Sequence, residues 1–176
     1  MRNSVFIASL ALVTALPAAA QGPEVMSKEE AYVLVDNLLQ LTDESKDIRQ
    51  SLSKNKEWEA QYIKARESAH LGSKQLTVYF FVVFVAEARA MAHTTEEISH
   101  EIVPLYVRDK VRFLSVLNNN PALVSAICRS LGSHFTIEGK KKDFRSFVTK
   151  NSPLIEKHLY KPYAETCIAE LEKWRT

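Results

Sequence analysis

LTVYFFVVFVAEARAMAH, Leu76 to His93, is the stretch whose reading decides the fold. Its β-branched and aromatic residues from Val78 to Val85 have the composition of a strand. No turn signal closes the run, however, and it continues directly into Ala86-Glu87-Ala88-Arg89-Ala90-Met91, a string of strong helix formers. No neighbouring segment reads as a partner strand, and a strand by itself is not stable. The apolar run ends at Glu87 and Arg89, far short of the ~20 residues that span a bilayer. A helix apolar on every side belongs in the middle of a bundle. The reading is therefore a buried central helix, with a buried two-stranded element as the alternative.

The flanking segments carry helical periodicity. From Ser27, SKEEAYVLVDNLLQLTDESKDIRQSL opens with Ser27 and Glu30 in capping-box spacing. Ala31, Leu34, Leu38, Leu41, Ile48 and Leu52 then mark one apolar stripe, which predicts an amphipathic helix along this whole segment. Trp58, Tyr62, Ile63 and Ala69 are the inward positions of the segment that follows. Thr94 and Glu97 repeat the capping-box spacing and predict a helix start near Thr94 or Thr95, with Pro104 as a kink or break. Asn120-Pro121 and Ser152-Pro153 each pair a capping residue with a proline and predict two further starts. Pro162 raises the question of a break inside the last segment, and GSHFTIEGKKK, from Gly132, reads as irregular.

The thiols support this arrangement. Val124, Ile127, Cys128 and Leu131 share one face of a helix, as do Tyr160, Ala164, Cys167, Leu171 and Trp174. Each cysteine thus lies on an apolar stripe, where a bridge between two packed helices belongs. A chain with two thiols in an oxidising compartment is most simply a chain with one disulfide, Cys128–Cys167. The fold class is an all-α, single-domain bundle of about six helices over residues 21–176.

The compartment follows from the N-terminus. MRNSVFIASLALVTALPAAAQG has one charge, Arg2, then an apolar run from Val5 to Leu16, then small residues up to Ala20. This is the pattern of a secretory signal peptide, residues 1–20, cut after Ala20. The run is too short to span a bilayer, and no cysteine follows it to take a lipid. The compact Ala-rich cleavage region points to a bacterial leader, and hence to the periplasm or full secretion. Loss of Arg2 lowers the formal charge from +2 to +1, with both signs interspersed. That leaves no electrostatic case for nucleic acid or an anionic membrane, and the expected mature chain is not membrane-inserted. The basic cluster GKKKDFR, Gly139 to Arg145, reads as a solvated turn leading into a helix.

The chain has no G-x-S-x-G, P-loop, H-E-x-x-H, C-x-x-C-H or dinucleotide fingerprint. Glu67-x-x-His70 and Glu97-x-x-His100 are the one constellation with metal-ligand spacing, since i and i+3 share a helix face. A di-metal bundle needs two more glutamates on alternate helices, and no suitable pair is evident, so no cofactor is expected. His93 reads as a group satisfying a helix end. A lysozyme-like role for Glu67 would need a hydrophobic cleft, and its KARES context is charged. The function expected from the sequence is an exported, non-catalytic protein-binding module, of inhibitor, immunity or adaptor type. Its partner would be another protein of the cell envelope. A peptidoglycan hydrolase-like enzyme and a metal-binding bundle on Glu67, His70, Glu97 and His100 are the alternatives. Trp58, Tyr106 and Tyr163 would be anchors only where exposed.

Overall fold

A computed structural model describes residues 26–42, 48–137 and 141–174, without the side chains of 48–49, 51–53, 92–93, 136–137 and 141–142. The expected leader, residues 1–20, lies outside the described residues. Among the described residues all regular structure is helical. The elements are α1 (Lys28–Thr42), α2 (Ile48–Ser68), α3 (Ser73–Ala88), α4 (Ala92–Arg108) and α5 (Lys110–Asn119), then a 3₁₀ turn (Pro121–Leu123), α6 (Val124–Ile137), α7 (Lys141–His158) and α8 (Lys161–Glu172). No described helix is long and apolar enough to cross a membrane.

The central-helix reading holds. α3 buries Leu76, Tyr79, Phe80, Val82, Val83, Val85 and Ala86, residues on every side of the helix. It packs against α1, α2, α4, α5 and α6, so five neighbours cover a surface that no single face could bury. Aromatic rings extend the core outward from it. Phe80 meets Phe113 at 4.7 Å, Phe113 meets Tyr106 at 5.2 Å, and Tyr106 meets Phe147 at 5.5 Å, all edge-on. Phe135 closes the row against Phe147 at 4.9 Å. These rings come from α3, α5, α4, α7 and α6 in turn. Trp58, Tyr62 and Ala69 of the α2 region are buried as read, and Ile63 is half-buried.

The disulfide is present. Cys128 on α6 and Cys167 on α8 are bonded, with Cα atoms 5.2 Å apart and both residues fully buried. The capping box at α1 is also present: Ser27 N–H donates to Glu30 Oε2 at 2.8 Å, and Glu30 N–H donates to Ser27 Oγ at 3.1 Å. Lys74 Nζ donates to the other Glu30 oxygen at 2.8 Å and ties the start of α1 to that of α3.

Several boundaries differ from the sequence reading, and the count of about six helices rises to eight α-helices among the described residues. The segment expected as one helix from Ser27 to Leu52 belongs to two, α1 and α2, which pack on each other. One straight helix cannot pack on itself, and residues 43–47 between them lie outside the described residues. α4 starts at Ala92, not at Thr94 or Thr95, because the Met91 carbonyl accepts the first helical bond, from Thr95 N–H at 2.9 Å. α5 is separated from α4 by Asp109, whose carboxylate caps it by accepting from Arg112 N–H at 3.0 Å.

Two of the prolines do not break the helices that hold them, and Pro162 does fall at a helix boundary. Pro104 and Pro153 sit inside α4 and α7 without ending them, so Ser152 is not an N-cap; its hydroxyl donates back to the Val148 carbonyl at 2.9 Å. Each proline removes the donor for a carbonyl four residues back, on His100 and Thr149. Both of those residues are exposed. Asn120 does precede a proline turn, but its side chain donates back to the Val116 carbonyl at 2.8 Å. Gly132 to Ile137, read as irregular, continues α6, while residues 138–140 lie outside the described residues. The expected last helix is split: α7 ends at His158 and Pro162 falls in the first turn of α8. Tyr160 is therefore the N-cap of α8 and exposed, not part of its buried stripe.

The reading of GKKKDFR as leading into a helix holds, since α7 begins at Lys141, and Asn151 interrupts the apolar stripe of Phe144, Val148 and Ile155 along it. That buried amide is partnered through both its oxygen and its nitrogen. It accepts from Tyr106 OH at 3.1 Å and Lys110 Nζ at 2.9 Å, and donates to the Phe147 carbonyl at 2.7 Å. A satisfied polar group is tolerated in a core position.

Candidate functional site

The residues singled out for metal or hydrolytic chemistry are distributed over two helices and a turn. Glu67 is exposed on α2, beside Ile63, Lys64 and Leu71 in a shallow depression. His70 is half-buried in the turn after α2. Glu97, half-buried on α4, lines a different depression, with Trp58 and Tyr62. His100 is exposed on α4, with its ring 6.3 Å from that of His134. The nearest group to His134 Nδ1 is the Ser99 carbonyl, at 2.7 Å. Among the described residues no group of three or more His, Cys, Asp or Glu is gathered closely enough to hold a metal. The side chain of His93 lies outside the described residues.

The Glu97 depression is backed by aromatic core. Trp58 and Tyr106 are buried and Tyr163 is half-buried, so none of the three is an exposed anchor. Trp58 Nε1, Tyr62 OH and Tyr79 OH are buried with no hydrogen-bond partner among the described residues. Burial pushes the Tyr62 hydroxyl up to about 12, and nearby Glu97 adds to this while Arg66 opposes it. Burial likewise pushes Tyr79 well above the ordinary tyrosine range.

A better-built polar site lies where the end of α3, the start of α4, the middle of α6 and the chain beyond α8 meet. It is an open depression of about 460 Å³, bounded by Glu87, Arg129, Ser130 and the Trp174 indole, with Thr95, Glu96 and Ser133 completing the lining. The local sequence explains each part. Apolar Val124, Ile127, Cys128 and Leu131 turn one face of α6 inward, which leaves Ser125, Arg129 and Ser133 at four-residue steps on another. Gly132 makes room for Trp174. A Cβ there would lie 2.9 Å from the indole Nε1 and 3.0 Å from Cγ, inside contact distance, so the ring rests against the α6 backbone.

Charges in this region form a connected set. Ser130 Oγ donates to Glu87 Oε1 at 2.6 Å, and the Arg129 guanidinium reaches Glu87 at 3.5 Å and Glu170 at 3.3 Å. Ser125 Oγ and Lys173 Nζ donate to Glu170 at 2.8 and 2.9 Å. Burial raises the Glu87 carboxyl above the usual glutamate range, against the pull of Ser130 and Arg129. Burial also acts on Glu170, but hydrogen bonds from Lys173, Ser125 and Arg129 outweigh it and hold that carboxyl at about 2. Sequence reasoning missed this set. Its one local signal is the polar stripe of α6; that Glu87, Glu170 and Trp174 meet it depends on how the helices pack.

Large apolar side chains are also presented to solvent away from this depression. Tyr32 and Val33 on α1 are 76% and 62% exposed, and Leu71 in the turn before α3 is 67% exposed. α1 is held by Leu34, Leu38 and Leu41 on its inner side, where it meets α2 and α3. Its outer side carries Tyr32 and Val33 among Asp36, Asn37 and Gln40.

Fold and sites together define a disulfide-linked all-α fold with a polar depression walled by Trp174 and an outer helix that exposes Tyr32 and Val33 among polar residues. No family model, curated protein or solved structure matches the chain.

Proposed function

We propose that the chain is exported through its N-terminal leader and acts in the bacterial envelope as a non-catalytic protein-binding module. The inhibitor, immunity and adaptor types all fit this class. The observation that carries the reading is the exposure of Tyr32 and Val33, adjacent on the outer side of α1. An aromatic ring and a branched aliphatic side chain, rimmed by Asp36 and Asn37, have the composition of an interface centre with a polar border. A helix fixed by its inner stripe presents such groups at low entropic cost, since the backbone is already ordered. The partner is another protein of the envelope.

The test is site-specific photo-crosslinking in cells, with Tyr32→benzoylphenylalanine compared with the same residue at exposed Lys150 on α7. A discrete protein adduct from position 32 alone is expected, and Val33→Asp should remove it while far-UV dichroism stays unchanged. With the captured partner in hand, Tyr32→Ala should weaken binding about tenfold or more. No adduct at position 32, or equal adducts at both positions, counts against the reading.

A further inference from the structure

The geometry points to the depression between Glu87, Arg129 and Trp174 as a binding site for a neutral saccharide of one or two pyranose rings. Three features select this chemistry. First, the site is rigid on its apolar side. The indole of Trp174 occupies the space left by the missing side chain at Gly132, its Nε1 is buried without a hydrogen-bond partner among the described residues, and the Trp174 backbone N–H bonds to the Leu171 carbonyl at 3.1 Å. A fixed aromatic wall suits the apolar C–H face of a sugar ring, which is flat and has no charge.

Second, the hydroxyls around it are already spent as donors. Ser130 donates to Glu87, Ser133 Oγ donates to the Ser130 carbonyl at 2.9 Å, and Thr95 Oγ1 donates to the Met91 carbonyl at 3.2 Å. The Ser130 and Ser133 oxygens keep lone pairs for accepting. With the Glu87 and Glu96 carboxylates they make a lining rich in acceptors, which calls for a ligand carrying several O–H donors.

Third, charges of both signs stand side by side at the site. Arg129 is half-exposed yet matched by Glu87 and Glu170, so it supplies N–H donors without a free positive charge to hold an anion. A phosphate or carboxylate would also meet Glu87 and Glu96. A polyamine would meet Arg129 itself, braced at the same wall. A neutral ligand that both donates and accepts avoids these conflicts. The volume, about 460 Å³, lies within the ordinary range of small-molecule sites. The site shares no residue with the α1 face, so it stands or falls independently of the protein-binding reading.

The chain has only two tryptophans, Trp58 and Trp174, so the mature protein gives two indole N–H signals in a ¹⁵N–¹H spectrum. Trp174→Phe deletes and thereby assigns one, and buried Trp58 serves as the internal reference. The probes are N,N′-diacetylchitobiose and cellobiose, with spermidine and inorganic phosphate as ionic counterparts. The expected result is a saturable shift of the Trp174 indole with one of the disaccharides, at a Kd of about 1 mM or tighter. Ser133→Ala, which removes one acceptor without touching the core, should weaken it about fivefold. No Trp174 shift with either disaccharide at ~10 mM overturns the proposal, and so does a shift produced by spermidine or phosphate but by neither sugar.

Discussion

Ala90 has φ 51°, in the left-handed region, and is the one non-glycine residue of positive φ among the described residues. It closes α3 through two bonds, Met91 N–H to the Ala86 carbonyl and Ala90 N–H to the Glu87 carbonyl, both at 3.0 Å. This is the Schellman arrangement, whose left-handed position favours glycine because a Cβ crowds the adjacent carbonyl. Ala90→Gly should therefore stabilise the domain by about 0.5–1 kcal/mol, the left-handed penalty less the greater freedom of glycine in the unfolded chain. Urea denaturation of the two proteins measures it, and a loss of stability would show that the turn carries no strain. Sequence reading saw helix formers through Ala90 because nothing local marks an alanine forced into this conformation by the packing of Met91 against the core. By contrast, the Ser27–Glu30 box was legible, since both partners lie within one turn of helix.

At the scale of elements, α6 and α8 are joined by sulfur at one point and by charge at another. Glu170 of α8 accepts from Ser125 and Arg129 of α6. Its carboxyl is held at about 2, below the ordinary glutamate value of 4.5. A depressed acid favours the folded state whenever it is charged, so this contribution is complete above about pH 4.5 and is lost as pH falls through about 2. Glu30 at the start of α1 acts in the same sense and window, through Lys74 and the Ser27 N–H. Glu87 acts oppositely. Its raised carboxyl makes the folded state less stable as pH rises beyond the ordinary glutamate range. Glu170→Gln should thus flatten the acid limb of the stability curve between about pH 4.5 and 2, while Glu87→Gln leaves that limb in place. Urea midpoints taken across this range decide it; an unchanged limb in Glu170→Gln would mean the α6–α8 contacts do not persist in solution.

For the whole molecule, the Cys128–Cys167 bridge closes a loop of 39 residues in sequence separation. Constraint of the unfolded chain by such a loop is worth about 4 kcal/mol. That is a large part of the stability of an ordinary domain. Cys128→Ala with Cys167→Ala, or reduction of the native protein, should lower the unfolding free energy by about that amount in denaturant titrations. An unchanged midpoint would show that the unfolded chain is not restrained by the bridge.

The sequence by itself determined the helical class, the burial of the segment from Leu76 to Ala86, the stripe positions of the two cysteines and the cap at Ser27. All of these are encoded in the spacing of residues along one helix. Tertiary packing alone decided the passage of α7 through Pro153, the burial of Asn151 and the meeting of Glu87, Arg129, Glu170 and Trp174. Periodicity reports which side of a helix faces inward. It carries no information about which polar sides of separate helices are turned towards one another, because that depends on crossing angles fixed by side chains far apart in the chain.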